Sequence, residues 1–186
     1  MFFRLGAHRT DVTEDTTQEL NVSDIVIHPA YDNSTYSYDV ALVKLDTKAI
    51  LGHGVGLVCL GDDTFDLPED DPSNPCMTSG WGFTDANETS PEALQEVTLP
   101  LVSHSVCNDS WPDLDASMLC AGYEEGGKDS CPQDSGGALV CQYGSKYYVE
   151  GVTSYGEDEC KGSPDTYGVY AKVRHVRSFI DSVIEG

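Results

Sequence analysis

Apolar runs of strand length, each ended by a turn, recur along this chain and constrain its fold more than any other feature. Residues 20–28 (LNVSDIVIH) partly alternate apolar and polar side chains, as a half-buried β-strand does. Further strand-like runs cover residues 40–45, 76–83, 96–102, 147–155 and 169–173. Because glycine- and proline-containing turns separate these runs, the pattern predicts an all-β sandwich or barrel.

Two other segments break the β pattern. Residues 61–75 form an acidic stretch with three prolines and almost no periodicity, which predicts a linker between two halves of the chain. From residue 174 the apolar side chains recur at helical spacing, as Val176, Phe179, Ile180, Val183 and Ile184. The chain is therefore expected to end in an amphipathic helix.

The chain is strongly acidic, with 32 Asp and Glu against 10 Lys and Arg and a formal net charge of −22. Nucleic acids and anionic membrane surfaces are polyanions, so we expect neither as a partner. No apolar run is long enough to span a bilayer.

Seven cysteines are spread widely, and no two form a CxxC pair. A zinc site is therefore not expected, and disulfides in an oxidising compartment explain the spacing better. The odd number leaves at least one thiol without a partner in this chain. The cysteines are Cys59, Cys76, Cys107, Cys120, Cys131, Cys141 and Cys160.

Features of secreted proteins conflict with the start of the sequence. Four N-x-S/T sequons begin at Asn21, Asn33, Asn87 and Asn108, as expected for a secreted glycoprotein. Yet the sequence starts with three apolar residues followed directly by Arg4, and it has no apolar segment of the length found in a signal peptide. We therefore expect residues to be missing upstream of Met1.

The most informative stretch for function is residues 127–140, GKDSCPQDSGGALV. Ser135 is a small nucleophile between an acid, Asp134, and two glycines. A serine nucleophile needs a base and donors for an oxyanion, and glycines let backbone N–H groups approach a substrate. The tetrapeptide DSGG alone is equally compatible with an ordinary surface turn.

Six segments together settle the interpretation. They resemble segments of the trypsin-like serine proteases of the chymotrypsin fold: DSCPQDSGGALV, YDVALVKL, SGWG, SYG, GVYAKV and, upstream, IVIHPAYD. The first five occur in the chain order found in that family. The resemblance implies two antiparallel β-barrels with the active site between them. It assigns residues 1–60 to an incomplete first barrel, 61–75 to a linker, 76–173 to a second barrel and 174–186 to a C-terminal helix, within one peptidase domain.

The resemblance also assigns catalytic roles. Ser135 matches the nucleophile, and Asp39 matches the aspartate that orients the catalytic histidine. The backbone N–H groups of Gln133 and Ser135 match the oxyanion hole. Gln133 departs from the usual glycine, so its side chain is expected to disfavour the required backbone conformation.

The substrate-binding residues follow in the same way. Asp129 matches the acid at the base of the primary specificity pocket, which pairs with Arg or Lys of a polypeptide substrate. Gly156 and Gly168 match the pocket walls, and Ser154 and Tyr155 match the strand that pairs with the substrate backbone. Protein protease inhibitors are possible partners, while no cofactor and no metal ligand set are implied.

By resemblance the cysteines pair as Cys76–Cys141, Cys107–Cys120 and Cys131–Cys160. Cys59 is left over. In chymotrypsin-like members a cysteine at that place is bridged to a propeptide, which would explain the odd count.

The catalytic histidine of the family is missing. It precedes the aspartate by about 45 residues, which puts it roughly seven residues before Met1. The N-terminal amine that pairs with the acid before the nucleophile is missing too, so Asp134 is expected to lack a counter-charge. Two hypotheses remain: a secreted serine endopeptidase whose residues 1–186 alone are inactive, or a non-catalytic homologue that binds partners through the cleft.

Overall fold

A computed structural model describes residues 1–62, 67–85, 87–157, 160 and 162–185, and these form two β-sheets. The first sheet contains β1 (Phe2–Leu5), β2 (Gln18–Ile27) and β3 (Ala41–Leu45). Its strands are antiparallel and lie in the order β1-β2-β3. The alternating segment of residues 20–28 thus becomes most of β2.

The second sheet has eight strands and is curled. Seven of them lie in the antiparallel order β6-β5-β9-β10-β11-β8-β7, and β4 pairs in parallel with β10. The strands are β4 (Cys59–Leu60), β5 (Cys76–Gly80), β6 (Gln95–Leu99), β7 (Leu101–Val102), β8 (Met118–Ala121), β9 (Ala138–Tyr143), β10 (Lys146–Tyr155) and β11 (Gly168–Lys172). The predicted all-β fold of chymotrypsin type is confirmed.

The core lies inside the second sheet. Leu99, Leu139 and Tyr170 are fully buried there, because facing strands supply large apolar side chains to one interior. The disulfide Cys76–Cys141 joins the neighbouring strands β5 and β9 within this core. The scaffold beneath the Ser135 loop is therefore both packed and cross-linked.

Some elements differ from the sequence-based expectation. The run of residues 96–102 is two strands, since Pro100 lacks an N–H for the ladder. The run of residues 76–83 ends as a strand at Gly80. A short helix that was not predicted, α1 (His104–Ser110), is fastened to β8 by the disulfide Cys107–Cys120.

The predicted C-terminal helix is present as a 3₁₀ turn (Val173–Val176) followed by α2 (Arg177–Glu185). Val176 and Ile180 are buried and pack in a cluster with Tyr38 and Val40, the residues on either side of Asp39. The C-terminal segment therefore supports the part of the chain that carries Asp39.

The division of the chain at residues 60, 75 and 173 stays a prediction. Residues 63–66 of the expected linker and residue 186 of the expected helix lie outside the described residues. Within the described ranges, no helix is both long and apolar enough to cross a membrane.

Candidate active site

Ser135 lies exposed in the loop that leads from residue 131 into β9. The two following glycines anchor this loop to β10: Gly136 N donates to Thr153 O at 2.9 Å, and Thr153 N donates to Gly137 O at 2.9 Å. Gly136 has φ 83°, in the left-handed region, and a Cβ on Gly137 would lie 2.8 Å from the Asp134 carbonyl oxygen. Glycine at both positions lets the loop present the serine hydroxyl to solvent.

The backbone around Ser135 offers two free donors. Among the hydrogen bonds of the described residues, neither Gln133 N–H nor Ser135 N–H is donated to a protein acceptor. Two such N–H groups beside a nucleophile can hold an oxyanion. Gln133 has φ 77°, a left-handed conformation that costs a non-glycine residue about 1 kcal/mol.

The carboxylate of Asp134 is held by backbone donors. It accepts hydrogen bonds from Gly82 N at 2.8 Å and from Cys131 N at 3.0 Å. In the part of the chain that the structure describes, it has no ion-pair partner. A Cβ on Gly80 or Gly82 would overlap this carboxylate, so both glycines are needed for its position. Backbone N–H donors thus stabilise a carboxylate for which the sequence predicts no counter-charge.

Asp39 is half-buried just before β3. Its Oδ2 accepts a hydrogen bond of 2.6 Å from the Ser154 hydroxyl, which lies 115 residues away in β10. The sequence predicts Ser154 only as part of the substrate-pairing strand, and no local signal indicates its bond to Asp39. This bond fixes one oxygen of the carboxylate relative to the second sheet.

Asp39 and Ser135 line the same groove, which has a volume of about 680 Å³. Its other walls are largely apolar and include Phe3, Ile27 and Val152. Ile27 is 60% exposed, so the groove is open along the first sheet. An acidic group and a serine hydroxyl therefore face one common space.

All five histidines fall within the described residues, and none of them lines this groove. The His28 ring stacks on Tyr38 with centroids 4.6 Å apart, and His175 Nε2 lies 3.4 Å from the Tyr38 hydroxyl. Burial, and to a smaller extent His175, lowers the pKa of His28. The described residues of the groove thus include a candidate nucleophile and a candidate orienting acid, but no imidazole.

Asp129 lies between the two predicted pocket glycines. A Cβ on Gly168 would be 2.5 Å from Asp129 Oδ1, and a Cβ on Gly156 would be 3.6 Å from Oδ2. Burial raises the pKa of Asp129 to about 7; Ser130 N, donating at 2.7 Å, opposes the shift, and Glu157 adds to it. The carboxyl group therefore titrates near neutral pH.

A recess of about 220 Å³ opens beside Ser135, and Ser154, Tyr155 and Gly156 form part of its wall. Asp129 does not line this recess. It borders a separate cavity of about 210 Å³ together with Asp134. Asp129 therefore adjoins Gly156, which lines the recess, and its place at the base of the specificity pocket stays a prediction.

Three further side chains at the recess were not predicted. Glu157 lines it, and its carboxylate accepts a hydrogen bond from Ser163 N at 2.9 Å. Trp111 and Tyr36 pack against Tyr155, with ring centroids 5.2 Å and 5.5 Å away. The two aromatic contacts join segments that are distant in sequence, so no local pattern indicates them.

The disulfides of the structure are those that the resemblance implies. Besides the two described above, Cys131–Cys160 ties the Ser135 loop to the segment after the recess. Cys59 is a half-buried free thiol in β4.

Comparison with known proteins identifies the family of this chain. A sequence model of the family described as Trypsin matches residues 1–180. The chain is 37% identical to Serine protease 1 of Homo sapiens, over 97% of this chain and 70% of that protein. It is 35% identical to Trypsin-3 of Salmo salar (97% and 72%) and 40% identical to Trypsin-1 of Gadus morhua (91% and 66%). The chain belongs to the trypsin family of serine proteases.

Proposed function

We propose that the protein is a serine endopeptidase in which Ser135 is the nucleophile and Asp39 orients the general base. The observation that carries this proposal is the groove that Asp39 and Ser135 line together. The bond from Ser154 to Asp39 supports it, because a fixed carboxylate can hold an imidazole in one orientation.

The chemistry follows the acyl-enzyme route. Ser135 Oγ bonds to the carbonyl carbon of the scissile peptide while the base takes the hydroxyl proton. The negative carbonyl oxygen is stabilised by the free N–H groups of Gln133 and Ser135. The C–N bond then breaks, the amine leaves with the proton, and water hydrolyses the ester to restore the serine.

The general base is the one catalytic group of this proposal that the residues lining the groove do not supply. In the family it is a histidine, and none of the histidines of this chain lines the groove. Residues 1–186 alone are therefore expected to have negligible peptidase activity. Imidazole from solution is expected to restore part of the acylation, since the groove has room for it beside Asp39.

We propose Arg and Lys as the preferred side chains before the cleaved bond. Asp129 adjoins two glycines, whose missing side chains leave space beside its carboxylate, and Glu157 places an acid in the recess wall. The net charge of −22 also attracts basic polypeptides. Protein inhibitors that present a basic side chain are expected to bind in the same way.

The test is the acylation of Ser135 by a p-nitrophenyl ester of a guanidinium-bearing acid, measured as p-nitrophenol release at increasing imidazole concentration. The rate for Ser135→Ala gives the background reaction with free imidazole. We expect wild-type release above this background, with Asp39→Asn lowering it by about tenfold or more. Asp46→Asn, at an exposed acid outside the groove, is the matched control. A wild-type rate equal to that of Ser135→Ala would refute the proposal.

The second candidate is a non-catalytic homologue that binds partners through the cleft. The strained backbone of Gln133 and its exposed side chain beside Ser135 favour this function. If the protein is such a non-catalytic homologue, a cationic ligand such as benzamidine binds in the recess, and Ser135 is not acylated at any imidazole concentration. The two measurements together separate the candidates.

We also propose that the protein is secreted and glycosylated. Three disulfides are compatible with an oxidising compartment, and the four sequon asparagines, Asn21, Asn33, Asn87 and Asn108, are all exposed. Expression through a eukaryotic secretory pathway tests this: removal of N-glycans by a glycosidase is expected to lower the mass of the protein. An unchanged mass would contradict the proposed glycosylation.

A further inference from the structure

Tyr38, the residue before Asp39, has an unusual backbone conformation. Its φ is 53°, in the left-handed region that bulky residues rarely adopt. Such a conformation persists only where surrounding contacts hold it. The contacts that hold Tyr38 therefore also determine where the next residue, Asp39, places its carboxylate.

The backbone of Tyr38 is held by the second sheet. Its N–H donates to the Ser117 hydroxyl oxygen at 2.9 Å. Ser117 is only 1% exposed, and its carbonyl oxygen accepts a hydrogen bond of 2.7 Å from Lys172 N in β11. The hydroxyl that receives the Tyr38 amide is thus anchored to a rigid strand.

Asp115 orients the Ser117 hydroxyl. Asp115 Oδ1 accepts from Ser117 Oγ at 2.5 Å and from Ser117 N at 2.7 Å, while Oδ2 accepts from Ser37 Oγ at 2.5 Å. Burial acts to raise the pKa of Asp115, but the hydrogen bonds from Ser117 and Ser37 outweigh it and keep the pKa below its usual value. One ionised carboxylate therefore binds both Ser117 and the residue before Tyr38.

The ring of Tyr38 is held as well. It lies between His28, stacked at 4.6 Å, and His175, whose ring centroid is 5.6 Å away. Backbone and ring contacts together leave Tyr38 little freedom, although it sits in a connection between strands.

We propose that Asp115 and Ser117 are positioning residues for the peptidase reaction: through the Tyr38 amide they set the backbone from which Asp39 reaches Ser154. This rests on the proposed function, because it assumes that the orientation of Asp39 matters for the base. Asp39 is then fixed at two points, its carboxylate by the Ser154 hydroxyl at 2.6 Å and its backbone by Ser117 through Tyr38. Neither Asp115 nor Ser117 lines the groove, so neither contacts substrate there.

The test compares Ser117→Ala and Asp115→Asn with the wild-type chain in imidazole-dependent acylation and in benzamidine binding. Loss of the Tyr38 contact is expected to lower the acylation rate by about tenfold or more while the benzamidine Kd stays within about twofold. Ser73→Ala is the matched control, since it removes an exposed serine–aspartate hydrogen bond to Asp71 far along the chain. A purely structural role would weaken both readouts together or neither, and either result would overturn the proposal.

A third readout separates this proposal from the function on which it rests. The carboxyl carbon of Asp39 and the amide exchange of Tyr38 can be followed by NMR without any catalysis. We expect Ser117→Ala to shift the Asp39 carboxyl signal and to speed exchange at Tyr38, with the Ser73→Ala spectrum unchanged. If wild type shows no acylation, the peptidase function fails while these signals still test the contact. Unaltered signals in folded Ser117→Ala and Asp115→Asn would refute it.

Discussion

The protonation of Asp129 gives the sharpest prediction for ligand binding. Its pKa is raised to about 7, chiefly by burial, so the carboxyl group is neutral in acid and negative in mild alkali. A benzamidinium ion keeps its charge across this range and requires the ionised carboxylate. We therefore expect the affinity of the chain for benzamidine to rise with pH.

The size of the effect follows from that pKa. The ionised fraction of Asp129 is about one half at pH 7, about a tenth at pH 6 and about a hundredth at pH 5. The benzamidine Kd is expected to increase about tenfold per unit below pH 7 and to level off above pH 8. The change between pH 9 and pH 5 is then about 100-fold, or about 2.7 kcal/mol. Glu157 adds little to this slope, because hydrogen bonds from Ser163 lower its pKa.

Isothermal titration calorimetry or displacement of a fluorescent amidine, from pH 5 to pH 9, measures this dependence. Asp129→Asn is the matched variant, since it keeps the shape of the side chain and cannot ionise. Its affinity is expected to be weak and independent of pH. A wild-type Kd that does not change with pH, or tight binding by Asp129→Asn, would refute the assignment of Asp129 as the site of cation recognition.

Three further predictions concern single substitutions. Gly168→Ala is expected to weaken benzamidine binding by about tenfold or more, because its Cβ would lie 2.5 Å from Asp129 Oδ1. Gly156→Ala, whose Cβ would lie 3.6 Å from Asp129 Oδ2, is expected to weaken binding by less than about threefold. Calorimetry of the two variants compares the two affinities. Asp129→Asn is expected to raise the free energy of unfolding at pH 8 by roughly 4 kcal/mol and to change it little at pH 4, because the raised folded-state pKa makes the wild type lose stability as pH rises from about 4 to 7. Equal urea midpoints for the two chains at pH 8 would contradict this. Gln133→Gly removes the strain of a left-handed conformation and is therefore expected to stabilise the fold by about 0.5–1 kcal/mol. It is also expected to speed imidazole-dependent acylation. Slower acylation would show that the glutamine side chain assists the reaction.

Several strands of this protein were predictable from alternating or continuous apolar runs of strand length. The alternation in residues 20–28 reproduces most of β2, and the helical spacing after residue 174 predicts α2. Elements with weak local signals were missed. All four residues of β8 are buried, so it has no alternation, and α1 has seven residues with no side-chain hydrogen bond from its N-cap, Ser103.

The individual site residues came from the resemblance, since the spacing of a serine and an aspartate does not show that they meet. The site features that the sequence did not predict depend on contacts between segments that are distant in sequence. The bond from Ser154 to Asp39 spans 115 residues, and the shifted pKa of Asp129 arises from burial that no short pattern encodes. The left-handed conformation of Tyr38 is likewise set by its tertiary contacts, because a tyrosine gives no signal for it.

The central claim is that Ser135 is a nucleophile served by a base beside Asp39. The most direct measurement is the intact mass of the chain after reaction with the guanidinium ester, with and without imidazole, followed by peptide mapping. We predict one acyl group per chain, located on Ser135, that accumulates faster as imidazole increases and is absent in Ser135→Ala. Acylation at other residues only, or at a rate that Ser135→Ala reproduces, would contradict the claim.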